Sequence, residues 1–131
     1  KGGKTKFQPI YVHDLSLFIF NLLNDFNKYK NSNLAAVGNE IFTFKEILSH
    51  IFSSLKKKER FFYMPAFLSI IQGKILEKLP KPLFTYDQYV TLSHDSTSQG
   101  SQKLVSEILN QDLSDMKIIT AEYLKKFIDR V

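Results

Sequence analysis

Apolar residues recur at helical spacing near the start of the chain. After His13-Asp14 they follow one another three and four positions apart, the pattern of one buried helix face: Leu15, Phe18, Ile19, Leu22, Leu23 and Phe26. Asp14 precedes the first of them and is predicted to cap the helix, because an aspartate side chain accepts hydrogen bonds from the free amides of a first turn. The polar run 27–33 is predicted to end this helix.

The clearest local signal is a capping box at Thr43–Glu46. The Thr43 hydroxyl can accept from the Glu46 amide while the Glu46 carboxylate reaches back to the Thr43 backbone. The helix that follows is predicted to bury an apolar face made of Phe44, Ile47, Leu48, Ile51, Phe52 and Leu55. A second box, Thr85–Gln88, predicts a short helix through Leu92.

Short β-rich runs alternate with the predicted helices. Three strands are predicted, at Phe7–Val12, Leu34–Val37 and Arg60–Tyr63. Further helices are predicted from Pro65 to Leu79, around Leu104–Leu109, and after a capping Thr120. This order predicts an α/β fold with a small parallel sheet. Because parallel sheets need helices on both faces, residues 1–131 are interpreted as a single unit of a larger layered fold.

The composition excludes several classes of site. The 131 residues contain no cysteine, which rules out disulfides and thiolate metal ligands. No apolar run approaches the roughly 18 residues of a membrane span. The net charge is +5, yet among the 18 basic residues only Arg60 and Arg130 are arginine. Because readers of nucleic acid rely on arginine for bidentate contacts, nucleic acid is not the expected partner.

The residue order contains no catalytic or metal-binding constellation. His13, His50 and His94 lie far apart, and none has a second histidine at ligand spacing. The five glycines form neither a phosphate-binding loop nor the turn that carries a nucleophilic serine. We therefore predict no catalytic residue, no metal ligand and no cofactor-binding residue in this chain.

Several stretches, taken in order, resemble one protein family. Phe7–Leu15 is similar to the segment that begins the C-terminal part of extended and atypical short-chain dehydrogenases, which are NAD-dependent epimerase/dehydratase-like proteins. Ala36–Ile47 and Phe62–Pro65 resemble the motifs that follow. Leu76–Gln88 resembles the motif of the atypical subgroup that contains the NAD(P)H-binding accessory subunit of NADH:ubiquinone oxidoreductase (complex I) and its bacterial relatives. The tail, Leu113–Leu124, resembles the family's ending.

The resemblance implies the C-terminal part of a Rossmann-type short-chain dehydrogenase without its N-terminal dinucleotide-binding half. In this family that half holds the dinucleotide through its glycine-rich loop and ribose-binding acid, and carries any Tyr-x-x-x-Lys pair. NAD(P)H is thus implied for the full-length parent, which acts as an NAD(P)-dependent oxidoreductase if its catalytic pair is present. No cofactor and no catalysis are implied for this piece alone. Gln8, Pro9 and Tyr11 are implied to face the substrate cleft.

The resemblance also implies partners and a location. The expected partners are the polypeptide's own N-terminal Rossmann half and subunits of respiratory complex I, while the isolated piece is expected to dimerise through an exposed face. The start Lys1-Gly2-Gly3-Lys4, without methionine, is expected to lie inside a longer polypeptide. The expected location is the cytoplasm, at the inner face of a bacterial inner membrane, or the matrix side in a mitochondrion.

Two alternatives stay open. One is the substrate-binding part of a nucleotide-sugar epimerase, dehydratase or reductase. The other is an autonomous basic module that docks on RNA or an anionic membrane through its lysine-rich ends, which would make its binding steeply dependent on salt.

Overall fold

The computed structural model describes residues 3–61 and 86–130. Two short strands, β1 (Lys6–Phe7) and β2 (Phe42–Thr43), pair with each other. The helices of this part of the chain are α1 (Val12–Asn24), α2 (Phe26–Tyr29), α3 (Phe44–Ser54), α4 (Tyr86–Thr91), α5 (Ser101–Leu109) and α6 (Met116–Leu124), followed by a 3₁₀ helix at Lys125–Arg130. The structure is thus a small mixed helix and sheet fold. None of these helices is long and apolar enough to cross a membrane.

The hydrophobic core lies between α1 and α5. Phe18 of α1 is buried together with Val105 and Leu109 of α5, and Leu113 from the following loop completes the cluster. The Asn21 side-chain amide donates to the carbonyl oxygen of Ile108 at 2.8 Å, which fixes the rotation of α1 against α5. The face of α1 that carries Phe18 is therefore its inner face.

The apolar positions predicted for the first helix divide into two stripes. Phe18 is buried, and Leu15 and Leu22 are half-buried, so this stripe lies on the inner side. The other stripe is exposed and consists of Ile19, Leu23 and Phe26. Spacing of three and four residues is compatible with both stripes, so the prediction of a single buried face is wrong for the second one.

Asp14 does not cap α1, contrary to the prediction. The helix begins earlier, at Val12, with Tyr11 in the capping position and no side-chain hydrogen bond there. Asp14 lies in the first turn, is only 2% exposed, and binds Ser114, which is 100 positions away in sequence. A tertiary partner therefore holds the carboxylate that the local pattern assigned to the helix end.

The predicted parallel sheet is wrong for the described residues. β1 and β2 run antiparallel, with Lys6 opposite Thr43 and Phe7 opposite Phe42. A single parallel bridge joins Phe7 to Ser96, in the loop that follows α4. The sheet that this part of the chain contributes is thus two short strands rather than a parallel layer.

One predicted strand is cut short and another is absent. Of Phe7–Val12 only Phe7 is in a strand, because Pro9 has no amide hydrogen to offer a neighbouring strand and Val12 already belongs to α1. Leu34–Val37 is not a strand either, although Val37 is buried.

The capping box at the start of α3 is confirmed. The Thr43 hydroxyl oxygen accepts from the Glu46 amide at 3.2 Å, and the Glu46 carboxylate accepts from the Thr43 amide at 2.7 Å. Hydrogen bonds from the Thr43 amide and hydroxyl hold the pKa of the Glu46 carboxyl below its ordinary value. The helix packs against α6, and its predicted core residues are half-buried rather than fully buried.

The later helices differ from the prediction mainly at their ends. α4 and α5 are confirmed, but Thr120 does not cap the last helix. Instead α6 begins at Met116, and the Asp115 carboxylate accepts from the amides of Lys117 and Ile118 at 2.7 and 3.3 Å. The predicted helix from Pro65 to Leu79, the Thr85 cap and the strand residues Phe62 and Tyr63 lie outside the described residues, while Arg60 and Phe61 are not in a strand.

Candidate functional site

Gln8 lies at a junction of three chain segments. Its side-chain amide donates to the Gly38 carbonyl oxygen at 2.9 Å, and its side-chain oxygen accepts from the Ser98 amide at 3.0 Å. Its backbone amide donates to the Ser96 carbonyl oxygen at 3.1 Å, and its carbonyl oxygen accepts from the Gly38 amide at 3.3 Å. The residue is only 6% exposed, so both polar ends of this side chain hold the protein together.

Gly38 allows this junction to close. A Cβ atom added to Gly38 would stand 1.9 Å from the carbonyl oxygen of Pro9, which belongs to the backbone and cannot swing aside. The segment that ends at Gly38 therefore passes against Pro9 at a distance that only glycine permits. This contact fixes the position of the chain from Gln8 to Tyr11.

A cleft lies between this segment and the start of α6. One part is a cavity of about 180 Å³ lined by Pro9, Ile10, Tyr11, Val12, Ser114, Met116, Ile119 and Thr120. The adjoining part, of about 360 Å³, shares three of these residues and is lined by Tyr11, Ile51, Ile119, Thr120, Tyr123 and Leu124. We call the two parts together the Tyr11 cleft. Its walls are the extended segment before α1, one residue of α3, and α6 with the loop before it.

A separate cavity of about 300 Å³ lies on the other side of Pro9. It is lined by Phe7, Gln8, Pro9, Phe44, Ile47, Leu92 and Ser96. Of the three residues predicted to face a substrate, Pro9 therefore borders both cavities and Tyr11 borders the Tyr11 cleft alone. Gln8 borders the second cavity, but its amide is bonded to the protein. That these residues contact a substrate remains a prediction.

Asp14 positions the far wall of the Tyr11 cleft. Its carboxylate accepts from the Ser114 amide at 2.8 Å and from the Ser114 hydroxyl at 3.0 Å. The first turn of a helix is also a favourable place for a carboxylate, because the free amides there carry partial positive charge. Asp14 thus ties the loop before α6 to the start of α1, and Ser114 is the lining residue that it holds.

The cleft lining is uncharged. Tyr11, Ser114, Thr120 and Tyr123 supply hydroxyl groups, and the rest of the named lining is apolar. A lining of this kind can hold a ligand by packing and by hydrogen bonds. The described residues that line it include no cation for a phosphate and no carboxylate or imidazole for proton transfer.

The histidines have separate surroundings. The ring of His13 stacks on Tyr11 with centroids 6.1 Å apart, and His50 meets the Phe42 ring edge-on at 5.7 Å. The His94 ring nitrogen Nδ1 lies 2.9 Å from the Val90 carbonyl oxygen. Within residues 3–61 and 86–130, no three acidic or histidine side chains are grouped so that they could hold a metal ion.

Sequence reasoning missed the wall formed by Ser114, Ile119 and Thr120. A usable signal was present in Asp115, because aspartate directly before a helical segment is typical of a capping residue. Placing the start of α6 there would have brought Ser114 to a helix end and Ile119 into the first turns. Nothing in the local pattern indicated the partnership of Asp14 with Ser114.

No protein-family model matches the chain. The chain is similar to a plant protein, the mitochondrial NADH dehydrogenase (ubiquinone) 1 alpha subcomplex subunit 9 of Arabidopsis thaliana, with 28% identity over 104 residues. The alignment covers 72% of this chain and 26% of the plant protein. The chain thus spans about a quarter of the length of the relative that it matches. This similarity supports a distant relation between the chain and that NADH dehydrogenase subunit.

Proposed function

We propose that the chain is the C-terminal, substrate-side portion of an NAD(P)-binding protein of the atypical short-chain dehydrogenase type, related to the accessory subunit of NADH:ubiquinone oxidoreductase. The observation that carries the proposal is the 104-residue similarity to the plant NADH dehydrogenase subunit. The order of the resembling stretches supports it, because they extend from Phe7 to Leu124.

In this proposal the chain supplies one wall of a ligand cleft and no chemistry of its own. The Tyr11 cleft fits that role, since its lining offers hydroxyl groups and apolar surface. The described lining residues include no cationic side chain and no glycine-rich helix start of the kind that holds a pyrophosphate, so the proposal places no dinucleotide there. The dinucleotide is therefore assigned to the N-terminal half of the parent protein.

The related subunit also supports a proposal for partners and place. The parent protein would associate with subunits of a respiratory NADH dehydrogenase, in the cytoplasm at the inner face of a bacterial inner membrane or in the matrix of a mitochondrion. The nucleotide-sugar alternative stays a prediction, because the hydroxyl groups of the cleft can donate hydrogen bonds to a sugar or to phosphates. The alternative of a basic interaction module stays a prediction.

Calorimetric titration tests the proposal directly. NADH and NADPH are titrated into the 131-residue chain and into the complete natural protein that contains it. The complete protein is expected to bind one of the two, and the chain alone neither. Saturable binding by the chain alone contradicts the proposal, and so does a complete protein that binds neither dinucleotide. Comigration of the complete protein with NADH dehydrogenase activity on a native gel tests the partner assignment separately.

A further inference from the structure

The outward side of α1 carries no lysine, arginine or acidic residue. Its exposed positions are Val12, His13, Ser16, Ile19, Phe20, Leu23 and Asn24. The only acidic residue of this 13-residue helix, Asp14, is buried on the other side. A helix that faces water normally presents charged and polar residues there. The outer side of α1 therefore has the composition of a surface that is covered by something.

The exposed residues also have a regular spacing. Val12, Ser16, Ile19 and Leu23 of α1, and Phe26 at the start of α2, follow one another at intervals of four, three, four and three, the spacing of the positions at which two helices meet in a coiled coil. We call these five residues the outer seam. Its four apolar members are between 49% and 68% exposed, and Phe20 lies beside them, 58% exposed. The spacing indicates that the missing cover is itself a helix.

Ser16, the polar residue of the seam, can be buried at little energetic cost. The Ser16 hydroxyl donates to the carbonyl oxygen of Val12 at 2.8 Å, within its own helix. The Ser16 hydroxyl therefore keeps its hydrogen-bond acceptor when the seam is covered. An unpaired buried donor is the cost that usually keeps polar residues out of apolar contacts. Serine is also small, so a large side chain of a neighbouring helix can approach there.

We propose that the outer seam pairs with the same seam of a second copy, as two antiparallel α1 helices related by a two-fold axis. An axis between Ile19 and Phe20 sets Ser16 opposite Leu23 of the second copy, a small residue facing a large one on both sides of the axis. Such a two-fold contact needs only one self-complementary surface. It is independent of the proposed NAD(P) function, because it concerns no residue of the Tyr11 cleft except Val12 at its border.

The exposed area is sufficient for a weak dimer. The four apolar seam residues and Phe20 together offer on the order of 600 Å² per copy, since large apolar side chains present about 150–250 Å² each when fully exposed. Two copies would bury on the order of 1,200 Å², the lower limit of stable interfaces. We therefore expect a dissociation constant on the order of 1–100 μM.

Charge favours a second copy over a membrane surface. Interfacial helices carry lysine and arginine on the polar face beside the apolar one, where these side chains meet anionic headgroups. Along the 13 residues of α1 there is no lysine or arginine, and Lys28 and Lys30 come only after the helix has ended. A membrane is therefore an outcome of the test rather than the proposal.

Sedimentation equilibrium of the 131-residue chain tests the pairing. The apparent mass is expected to rise from 15.2 kDa toward twice that value as the concentration passes through the micromolar range. Leu23→Lys is expected to weaken association at least about tenfold. Ile118→Lys is the matched control, because Ile118 of α6 is 66% exposed and Leu23 is 65% exposed. Circular dichroism shows whether both variants keep their helices.

Three outcomes overturn the proposal. The first is an apparent mass that stays at 15.2 kDa at every concentration. The second is an Ile118→Lys variant that weakens association as much as Leu23→Lys does. The third is a monomeric chain that sediments with phosphatidylglycerol vesicles.

Thiol cross-linking replaces this comparison if the Leu23→Lys variant loses its helices. The chain has no cysteine, so Ser16→Cys and Leu23→Cys each introduce a single thiol. Mixing the two variants is expected to give mainly the mixed disulfide, and mainly same-residue disulfides would overturn the antiparallel arrangement.

Discussion

Replacing Asp14 by alanine removes the tie between the start of α1 and the loop that forms the far wall of the Tyr11 cleft. Two hydrogen bonds to a buried carboxylate are lost, at 2.8 and 3.0 Å, and the Ser114 amide is left without its partner. Hydrogen bonds to charged groups contribute about 1.5–3 kcal/mol each, and relief of the carboxylate's desolvation offsets part of the loss. We expect Asp14→Ala to lower the free energy of unfolding by about 3 kcal/mol.

Asp14→Ser separates this role from helix capping. Serine caps a helix about as well as aspartate does, but its side chain is too short to make both bonds to Ser114. We therefore expect Asp14→Ser to cost nearly as much as Asp14→Ala. Ser114→Ala, which leaves the backbone bond in place, is expected to cost about 1 kcal/mol.

Urea unfolding followed by circular dichroism measures these differences. A double-mutant cycle of Asp14→Ala and Ser114→Ala is expected to give a coupling energy of about 1 kcal/mol. An Asp14→Ser variant as stable as the natural chain, or a coupling energy of zero between Asp14 and Ser114, would contradict the claim that Asp14 stabilises the chain through Ser114. Either result would mean that the carboxylate acts locally on its own helix.

Three further predictions concern the junction and the α3 cap. Gly38→Ala is expected to lower the free energy of unfolding by at least about 2 kcal/mol, because the new Cβ would stand 1.9 Å from the Pro9 carbonyl oxygen. If urea unfolding shows that the variant is nearly as stable as the natural chain, this close approach is contradicted. Gln8→Leu leaves the Ser98 amide and the Gly38 carbonyl group without their partners, and it is expected to lower the free energy of unfolding by about 2–4 kcal/mol in the same assay. Gln111→Leu, at an exposed site, is the control and is expected to change it little. The pKa of Glu46 is lowered from 4.5, so its stabilising effect is present above pH 4.5 and is lost as the pH falls through the folded-state pKa. Unfolding from pH 7 to pH 3 should therefore show the advantage of the natural chain over Glu46→Gln shrinking with falling pH, and an unchanged difference would contradict the assignment.

The sequence predicts features that depend on neighbouring residues and misses those that depend on distant ones. The Thr43–Glu46 box is confirmed because all its atoms lie within four residues. The strand Phe7–Val12 is cut short by Pro9, which the sequence shows, whereas the cap at Asp14 is wrong because its partner, Ser114, lies far along the chain. A local pattern carries no information about such partners.

The same limit applies to the cleft. The resemblance implied Gln8, Pro9 and Tyr11 as cleft residues; Pro9 and Tyr11 border the Tyr11 cleft, and Gln8 does not. The opposite wall depends on where α6 begins and on how the loop before it is held by Asp14. Periodicity could not supply that information, because the apolar residues of α6 admit more than one helix start.

The bonding partners of Gln8 have a consequence for biosynthesis. Its side chain binds groups that are 30 and 90 positions later in the chain. Before Ser98 has been synthesised, the side-chain oxygen of Gln8 lacks its hydrogen-bond donor. Closing the loop of 90 residues between Gln8 and Ser98 also carries an entropic cost. The segment around Gln8 can therefore complete its packing only after Ser98 has been synthesised, and until then it stays accessible to proteases and chaperones.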